Sequence, residues 1–302
     1  MAIAITQKEL AERIDSAYGL LEQCRICPRE CGVNRQQDDR LGFCSSGLNA
    51  KVASVSPHFG EEPPLTGTKG SGTVFFANCS LRCLYCQNYP ISQLGNGVER
   101  TPGELACQMI WLQEQGCHNL NLVTPTHFMP QILKALFVAR EREFRLPVVW
   151  NSSGYESQES LRLLEGIVDI YLPDMRYSDD RYAMKYSLAS KYAEVNRAAV
   201  KEMYRQVGDL VVDEDGIALH GLIVRHLVLP EDLSGTEDVM GFLSRRVSKK
   251  VHVSLMAQYF PSYRAAEHPE LARKVTAKEF GEAHRIMERY GLENGWVQEH
   301  DG

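Results

Sequence analysis

Apolar positions along this chain follow two rhythms, and the change between them divides the sequence. Near the start, Leu10, Ile14, Ala17, Leu20 and Leu21 recur at helical spacing. Thr6 with Glu9 three residues later reads as a capping box, so the pattern predicts a helix opening just after Thr6. Residues 32–73 then lose periodicity and carry many turn formers, among them Gly42, Gly47, Pro57, Gly60, Pro63 and Pro64. That stretch reads as loop-rich, with short strands near Lys51–Ser56. Beyond it, short apolar runs alternate with helical patterns. The runs Thr73–Ala77, Asn119–Val123, Val148–Asn151, Ile167–Leu172, Leu222–Leu229 and Val251–Leu255 predict strands. Between and after them, helices are expected over 102–115, 130–142, 157–165, 179–207, 236–247 and 277–290. Thr101, Pro102 and Glu104 open the first of these and Gly116 stops it; Thr276 and Glu279 open the last.

Strict alternation implies parallel strands, right-handed crossovers and helices packed over the sheet, an α/β fold. Six strand–helix units are too few for an eight-fold barrel. They suit either a doubly wound sheet or an incomplete, open barrel, and in both a ligand sits at the carboxyl ends of the strands. The expected organisation is a Cys-rich lobe over 1–70 and a core over 71–302. No repeat or low-complexity segment interrupts it.

Composition narrows the function classes. Of 302 residues, 44% are hydrophobic and 24% charged, which supports a sizeable core and excludes disorder as the main state. The formal charge is −6, against a strongly basic nucleic-acid binder. Arg245, Arg246, Lys249 and Lys250 make only a short basic run, the usual mark of a solvated helix end. No apolar run approaches the roughly 18–20 residues of a membrane span. Met1–Gln7 lacks the basic-then-apolar plan of a signal peptide, so a cytoplasmic location is expected. There the nine cysteines, an odd number, argue for metal binding over a disulfide framework. They form three groups: Cys24, Cys27, Cys31 and Cys44; Cys79, Cys83 and Cys86; and Cys107 with Cys117, which read as core thiols.

Cys79, Cys83 and Cys86 are spaced C-x3-C-x2-C on a loop directly after the first strand of the alternating region. Three thiolates cannot complete a four-ligand zinc site unaided. They can hold a [4Fe–4S] cluster by three of its irons, leaving the fourth open to a small molecule. With Tyr85 before Cys86, this loop resembles the signature of the radical S-adenosylmethionine (radical SAM) enzymes. The run Cys79–Asn88, CSLRCLYCQN, is most similar to the activases of glycyl-radical enzymes, the pyruvate formate-lyase activating enzyme-like subgroup. The resemblance spans about residues 71–260. It implies an incomplete (β/α)6 barrel behind the Cys-rich lobe, a [4Fe–4S] cluster, S-adenosylmethionine (SAM) and an electron donor such as flavodoxin or ferredoxin. It also implies cleavage of SAM to methionine and a 5′-deoxyadenosyl radical, which takes hydrogen from a glycyl-radical protein, a peptide or a small metabolite. An oxidoreductase of anaerobic chemistry follows. The alternative from another class is a non-catalytic Fe–S or zinc scaffold for a partner protein.

Strand ends supply the candidate SAM contacts. Where such enzymes commonly carry Gly-Gly-Glu, this chain has Val123-Thr124-Pro125-Thr126-His127; Thr124 and Thr126 offer acceptors for the ammonium of SAM. His127 reads as a site residue, a neighbour of a helix cap or a substrate contact. Asn151 and Ser153 stand where activases place Thr-Asn-Gly, close to the ribose or methionine moiety. Asp174 and Arg176 resemble an Asp-Leu-Lys stretch, either as SAM contacts or as a plain ion pair. Arg225 lies inside an apolar strand, where a charge is costly unless paired, and matches an arginine near the SAM carboxylate. His226 points the opposite way, towards a helix. Met256, Gln258 and Tyr259 end the sixth strand, as a frame for adenine or substrate or, for Met256, as core.

Cys24, Cys27, Cys31 and Cys44 are spaced C-x2-C-x3-C-x12-C. Four thiolates in a lobe without a strong apolar core suggest a metal, zinc or a second Fe–S cluster; free or redox-active thiols are the alternative.

Overall fold

A computed structural model describes residues 5–37 and 42–299. The strands, in chain order, are β1 (Ala50–His58), β2 (Ser71–Phe76), β3 (Val98–Arg100), β4 (Leu120–Val123), β5 (Val148–Ser152), β6 (Ile170–Pro173), β7 (Val211–Val212), β8 (Ala218–Leu227), β9 (His252–Met256) and β10 (Gly295–Val297). The helices are α1 (Gln7–Gly19), α2 (Pro63–Thr66), α3 (Tyr89–Ser92), α4 (Pro102–Glu114), α5 (Met129–Arg140), α6 (Gln158–Leu164), α7 (Asp180–Ser187), α8 (Tyr192–Val207), α9 (Thr236–Arg246) and α10 (Ala277–Arg289). All six expected strands are present in order. Capping boxes at Thr6, Thr101 and Thr276 are formed as the sequence suggests. The long helical segment over 179–207 divides into α7 and α8, with Leu188 and Lys191 both at positive φ in the corner. Met1–Ala4 and residues 38–41 of the expected loop region lie outside the described residues.

Sheet order runs β10-β9-β8-β6-β5-β4-β2-β1-β3, with β7 paired only to β8. From β2 to β10 every pairing is parallel and the order never reverses. A doubly wound sheet has a reversal point, so the open, partial barrel is the form adopted. β1 and β3 extend it antiparallel on the β2 side. β10, too short and half-exposed for its apolar pattern to stand out, adds a seventh parallel strand.

Strand parity separates two faces. Val148, Trp150, Tyr171, Leu222, Val224, Val253 and Leu255 pack with the helices in the main core. Their neighbours Val149, Ile170, Leu172 and Ile223 form a second apolar cluster on the inner face, closed by Leu65 of α2. Each such fully buried aliphatic side chain contributes about 1.5–3 kcal/mol. By the same period of two, Asn121, Asn151, Asp174 and Arg225 share the inner face. The fold thus lays apolar residues at the floor of the barrel and polar ones towards its carboxyl mouth.

The N-terminal segment packs against this body. α1 buries Leu10, Ile14 and Ala17 in the main core. Arg35 is 2% exposed and donates to the carbonyls of His127 at 2.8 Å and Gly47 at 2.9 Å. One expected core thiol is not in the core. Cys107 is exposed, because α4 buries Leu105, Ala106, Met109, Ile110 and Leu112 and turns position 107 outward, where Arg142 donates to its sulfur at 3.1 Å. Cys117 is buried as expected.

Candidate functional site

The loop leaving β2 carries Cys79, Cys83 and Cys86, and each sulfur is met by a hydrogen-bonding group. The Leu81 N–H donates to Cys79 Sγ at 3.3 Å. Cys83 Sγ, 2% exposed, accepts from Arg176 Nη1 and from Ser187 Oγ, both at 3.0 Å. Cys86 Sγ lies 3.1 Å from Ser92 Oγ. The loop is pinned to α7 by Arg82 N–H to the Ser187 carbonyl and Leu84 N–H to the Tyr186 carbonyl. Beneath it, the Tyr85, Tyr177 and Ser187 hydroxyls form a buried chain at 2.6 and 2.8 Å. Sequence spacing marks the cysteines; Ser187 meets Cys83 only through tertiary contact, and Tyr177 stands behind it.

Burial pushes the Cys79 thiol up to about 12, with the Cys83 charge adding to it and the Leu81 N–H and Arg176 opposing. Cys86 is raised by burial and then by Cys83. These sulfurs repel as bare thiolates, and that cost is relieved by positively charged irons. Among the described residues no three His, Cys, Asp or Glu side chains converge to hold one metal ion. Three thiols on one short loop fit a [4Fe–4S] cluster, whose ligands attach to different irons.

From Cys83 a row of charges crosses the inner face. Arg176 donates to Asp174 Oδ2 from Nε at 3.0 Å and Nη2 at 2.6 Å while its Nη1 holds the sulfur. Asp174 Oδ1 accepts from Arg225 Nε at 2.9 Å, and Arg225 Nη2 reaches Asn151 Oδ1 at 2.5 Å. Burial raises the Asp174 carboxyl, but Arg225 and Arg176 outweigh it and hold it below the ordinary aspartate value. Gly154, at φ +68, permits this packing: a Cβ there would meet the Asp174 carbonyl at 2.6 Å and collide with the Asn196 amide. Ser153 is buried beside the row and its carbonyl accepts from Tyr192 Oη at 2.8 Å. Thr124 takes a positive φ of 59° at the end of β4, its N–H bonded to the Asn151 carbonyl.

Thr126 is not brought to this row. Its hydroxyl donates to Glu156 Oε1 at 2.7 Å, and Trp150 Nε1 donates to the same oxygen at 3.2 Å. His127 Nε2 lies 2.9 Å from the Ala77 carbonyl, and burial lowers its pKa to about 3, so the ring is a neutral packing element. His226, on the outer face, bonds the Met175 carbonyl and the Thr236 hydroxyl. Burial lifts Glu156 to about 7 against the hydrogen bonds from Thr126, Ser152 and Trp150. Such a group adds stability that is complete below its unfolded pKa and is lost as pH rises towards 7. Glu156→Gln is therefore expected to be more stable than the parent at pH 8 by about 3 kcal/mol, and nearly equal to it at pH 4. Urea unfolding at the two pH values checks this; a parallel pH response of both proteins contradicts it.

The segment before α2 adds residues that sequence reasoning missed. Glu61 Oε2 stands 3.7 Å from Arg225 Nη1. Glu62 and Asn121 are buried beside it, and among the described residues Glu62 Oε2 has no hydrogen-bond partner. At the carboxyl mouth, Ala257, Gln258, Tyr259, Phe260, Lys274 and Gln298 line a cavity of about 430 Å³. It adjoins the cysteine loop, since Gln87 Nε2 donates to the Gln258 carbonyl at 2.9 Å. Met256 is buried core at the root of this segment.

Residues 73–214 match the model of the Radical SAM superfamily. The uncharacterized protein MJ0674 of Methanocaldococcus jannaschii is 31% identical over 291 residues, covering 93% of this chain and 79% of that one. The uncharacterized protein MJ0808 of the same organism is 28% identical over 177 residues, covering 53% of this chain and 51% of that one. The fold is similar to that of SuiB of Streptococcus suis bound to S-adenosylmethionine, with a TM-score of 0.50 and 8% identity. That likeness covers 74% of this chain and 48% of SuiB, so the match spans about half the length of SuiB, as of MJ0808.

Proposed function

Because this chain belongs to the radical SAM superfamily, whose members cleave SAM with a [4Fe–4S] cluster, we propose that Cys79, Cys83 and Cys86 hold that cluster and that a polypeptide segment is the hydrogen donor. The bound cluster and SAM supply reductive cleavage to methionine and a 5′-deoxyadenosyl radical. The carrying observation is the trio of thiols, each met by a hydrogen-bonding group, at the head of a charge row that runs along the strand ends.

The chain's own residues divide the work. Leu81 N–H, Ser92, Ser187 and Arg176 direct hydrogen bonds at the three sulfurs, where they would tune the reduction potential of a bound cluster. Arg225 is pre-oriented by Asp174 and Asn151, and its Nη1, only loosely engaged by Glu61, is free to meet the SAM carboxylate. Asn151, Ser153, Asp174 and Thr124 border the place of the ammonium and ribose. Thr126 acts one step back, by holding Glu156. The Tyr85–Tyr177–Ser187 chain keeps water from the buried side of the loop.

A polypeptide substrate is favoured by the cavity at the mouth, which opens to the surface beside exposed Phe260 and Tyr263, and by the activase-like CSLRCLYCQN loop. A glycyl-radical protein presenting its glycine loop is the form we propose. Anaerobically loaded protein with dithionite and SAM is expected to yield 5′-deoxyadenosine; no cleavage from a fully loaded cluster defeats the reading. With a candidate glycyl-radical partner added, a protein-based EPR doublet is expected, and SAM cleavage with no such radical across candidate partners counts against that choice of substrate.

A further inference from the structure

The four cysteines of the N-terminal segment play no part in the reading above, yet the backbone gathers them. Cys24 pairs with the backbone just after Cys31, through Cys24 N–H to the Val33 carbonyl at 2.8 Å and Gly32 N–H to the Cys24 carbonyl at 3.0 Å. A tight turn, Glu30 N–H to the Cys27 carbonyl, places Cys27 against Cys31. Phe43 N–H donates to Cys31 Sγ at 3.3 Å, which brings in the adjoining Cys44. A Cβ on Gly42 would meet Cys31 Sγ at 3.0 Å, so glycine there lets the chain pass close over the sulfur. Cys24, Cys27 and Cys44 are buried, and Cys27 carries a raised pKa from burial and then from the charges of Cys44, Cys24 and Cys31.

Four thiolates suit zinc and an iron–sulfur cluster alike. What separates the two is where the lobe sits: zinc is redox-inert and gains nothing from standing beside the cysteine loop, whereas a cluster there can pass it an electron. The lobe is bonded to that loop at three successive points. Asn78, just before Cys79, donates to the Ser45 carbonyl at 2.9 Å and the Ser46 hydroxyl at 3.1 Å. Arg29 Nε donates to the carbonyl of Ser80, just after Cys79, at 2.9 Å, while its guanidinium lies 3.6 Å over the Phe43 ring. Arg82, just before Cys83, donates to the Phe43 carbonyl at 2.9 Å. Between Cys44 and Cys79 the path is one residue, one hydrogen bond and one residue.

We propose that Cys24, Cys27, Cys31 and Cys44 ligate a second iron–sulfur cluster, which takes one electron from a flavodoxin- or ferredoxin-class donor and passes it to the cluster at Cys79–Cys86. In each cycle the donor is oxidised by one electron, the second cluster is reduced and then reoxidised, and SAM is the final acceptor. The gathering of four thiols stands on the N-terminal geometry alone; the relay rests on the proposed function.

The experiment uses the full chain, reconstituted anaerobically with iron and sulfide in the presence of zinc. The parent is expected to hold about eight iron atoms, and the Cys79→Ala/Cys83→Ala/Cys86→Ala variant about four, with a reduced-cluster EPR signal. Zinc in place of iron in that triple variant, or no metal, overturns the site. Fully reduced parent protein should show EPR broadened by coupling between neighbouring clusters, lost in the triple variant. Cys27→Ala, checked to retain about four irons, should lower the ratio of flavodoxin-driven to dithionite-driven SAM cleavage about tenfold or more. An unchanged ratio removes the relay. Cleavage by a protein with zinc at this site would sink this inference and leave the proposed function standing; two clusters without cleavage would do the reverse.

Discussion

Cys83→Ala is expected to lower 5′-deoxyadenosine formation more than about 100-fold, the upper end of what loss of a mere outer partner costs. Cys83 is the most enclosed of the three sulfurs and receives both Arg176 and Ser187. Alanine removes a proposed iron ligand and leaves those two donors facing a void. Stability without metal should fall by about 1–3 kcal/mol, the cost of leaving a buried donor unpaired. Arg176→Lys separates ligation from tuning. It keeps the charge but not the fork that spans Asp174 and the sulfur, so iron content should hold while cleavage falls about 10–100-fold. Iron assay with product chromatography on both variants checks this. Equal losses of iron in the two, or near-parental cleavage by Cys83→Ala, would contradict it.

Asp174→Ala should produce the largest loss of stability of any single change at the site. Asp174 is shared by two buried guanidinium groups, and removing one partner of a buried pair leaves an uncompensated charge at a cost of about 3–5 kcal/mol. For a chain of this length that is about 10 °C in the thermal midpoint. Because its carboxyl is held below the ordinary value, the group's contribution is present above the unfolded aspartate pKa and fades as pH falls through the lower folded one. The parent-to-variant gap should therefore be wide at pH 7 and narrow near pH 3. SAM affinity should fall as well, since Arg225 loses the contact that fixes its Nε edge. Calorimetric unfolding at both pH values and a SAM titration of cluster-loaded protein read the two effects. A gap that does not narrow in acid would show that Asp174 acts through something other than its charge.

Much of the fold was legible because the cues were local. Six apolar runs bounded by capping boxes and glycine stops became six strands, and sheet order, which no local cue encodes, settled the choice between the two architectures. β10 escaped notice because three half-exposed residues carry too little pattern. Cys107 was misread because α4 is apolar on most of its circumference, and the outward step between Ala106 and Met109 shows only when the helix is seated on its neighbours. At the site, cysteine spacing and a lone arginine in an apolar strand were visible in one dimension. Ser187, Glu61 and Asn121 were not, since each reaches the site from an element distant in sequence; Ser92 lies only six residues past Cys86, but none of the four carries a motif. The likeness of Asp174-Met175-Arg176 to an activase stretch indicated two residues, but not that Arg176 reaches past its partner to Cys83.

Iron left open to SAM is the claim on which the chemistry rests. Electron–nuclear double resonance on the reduced, cluster-loaded protein, with SAM labelled at its methionine amino nitrogen and carboxylate oxygen, tests it most directly. Hyperfine coupling from both labels to the Cys79–Cys86 cluster is the expected result. Saturating SAM with no coupling from either label would mean that every iron is already held by the polypeptide, and would contradict the account.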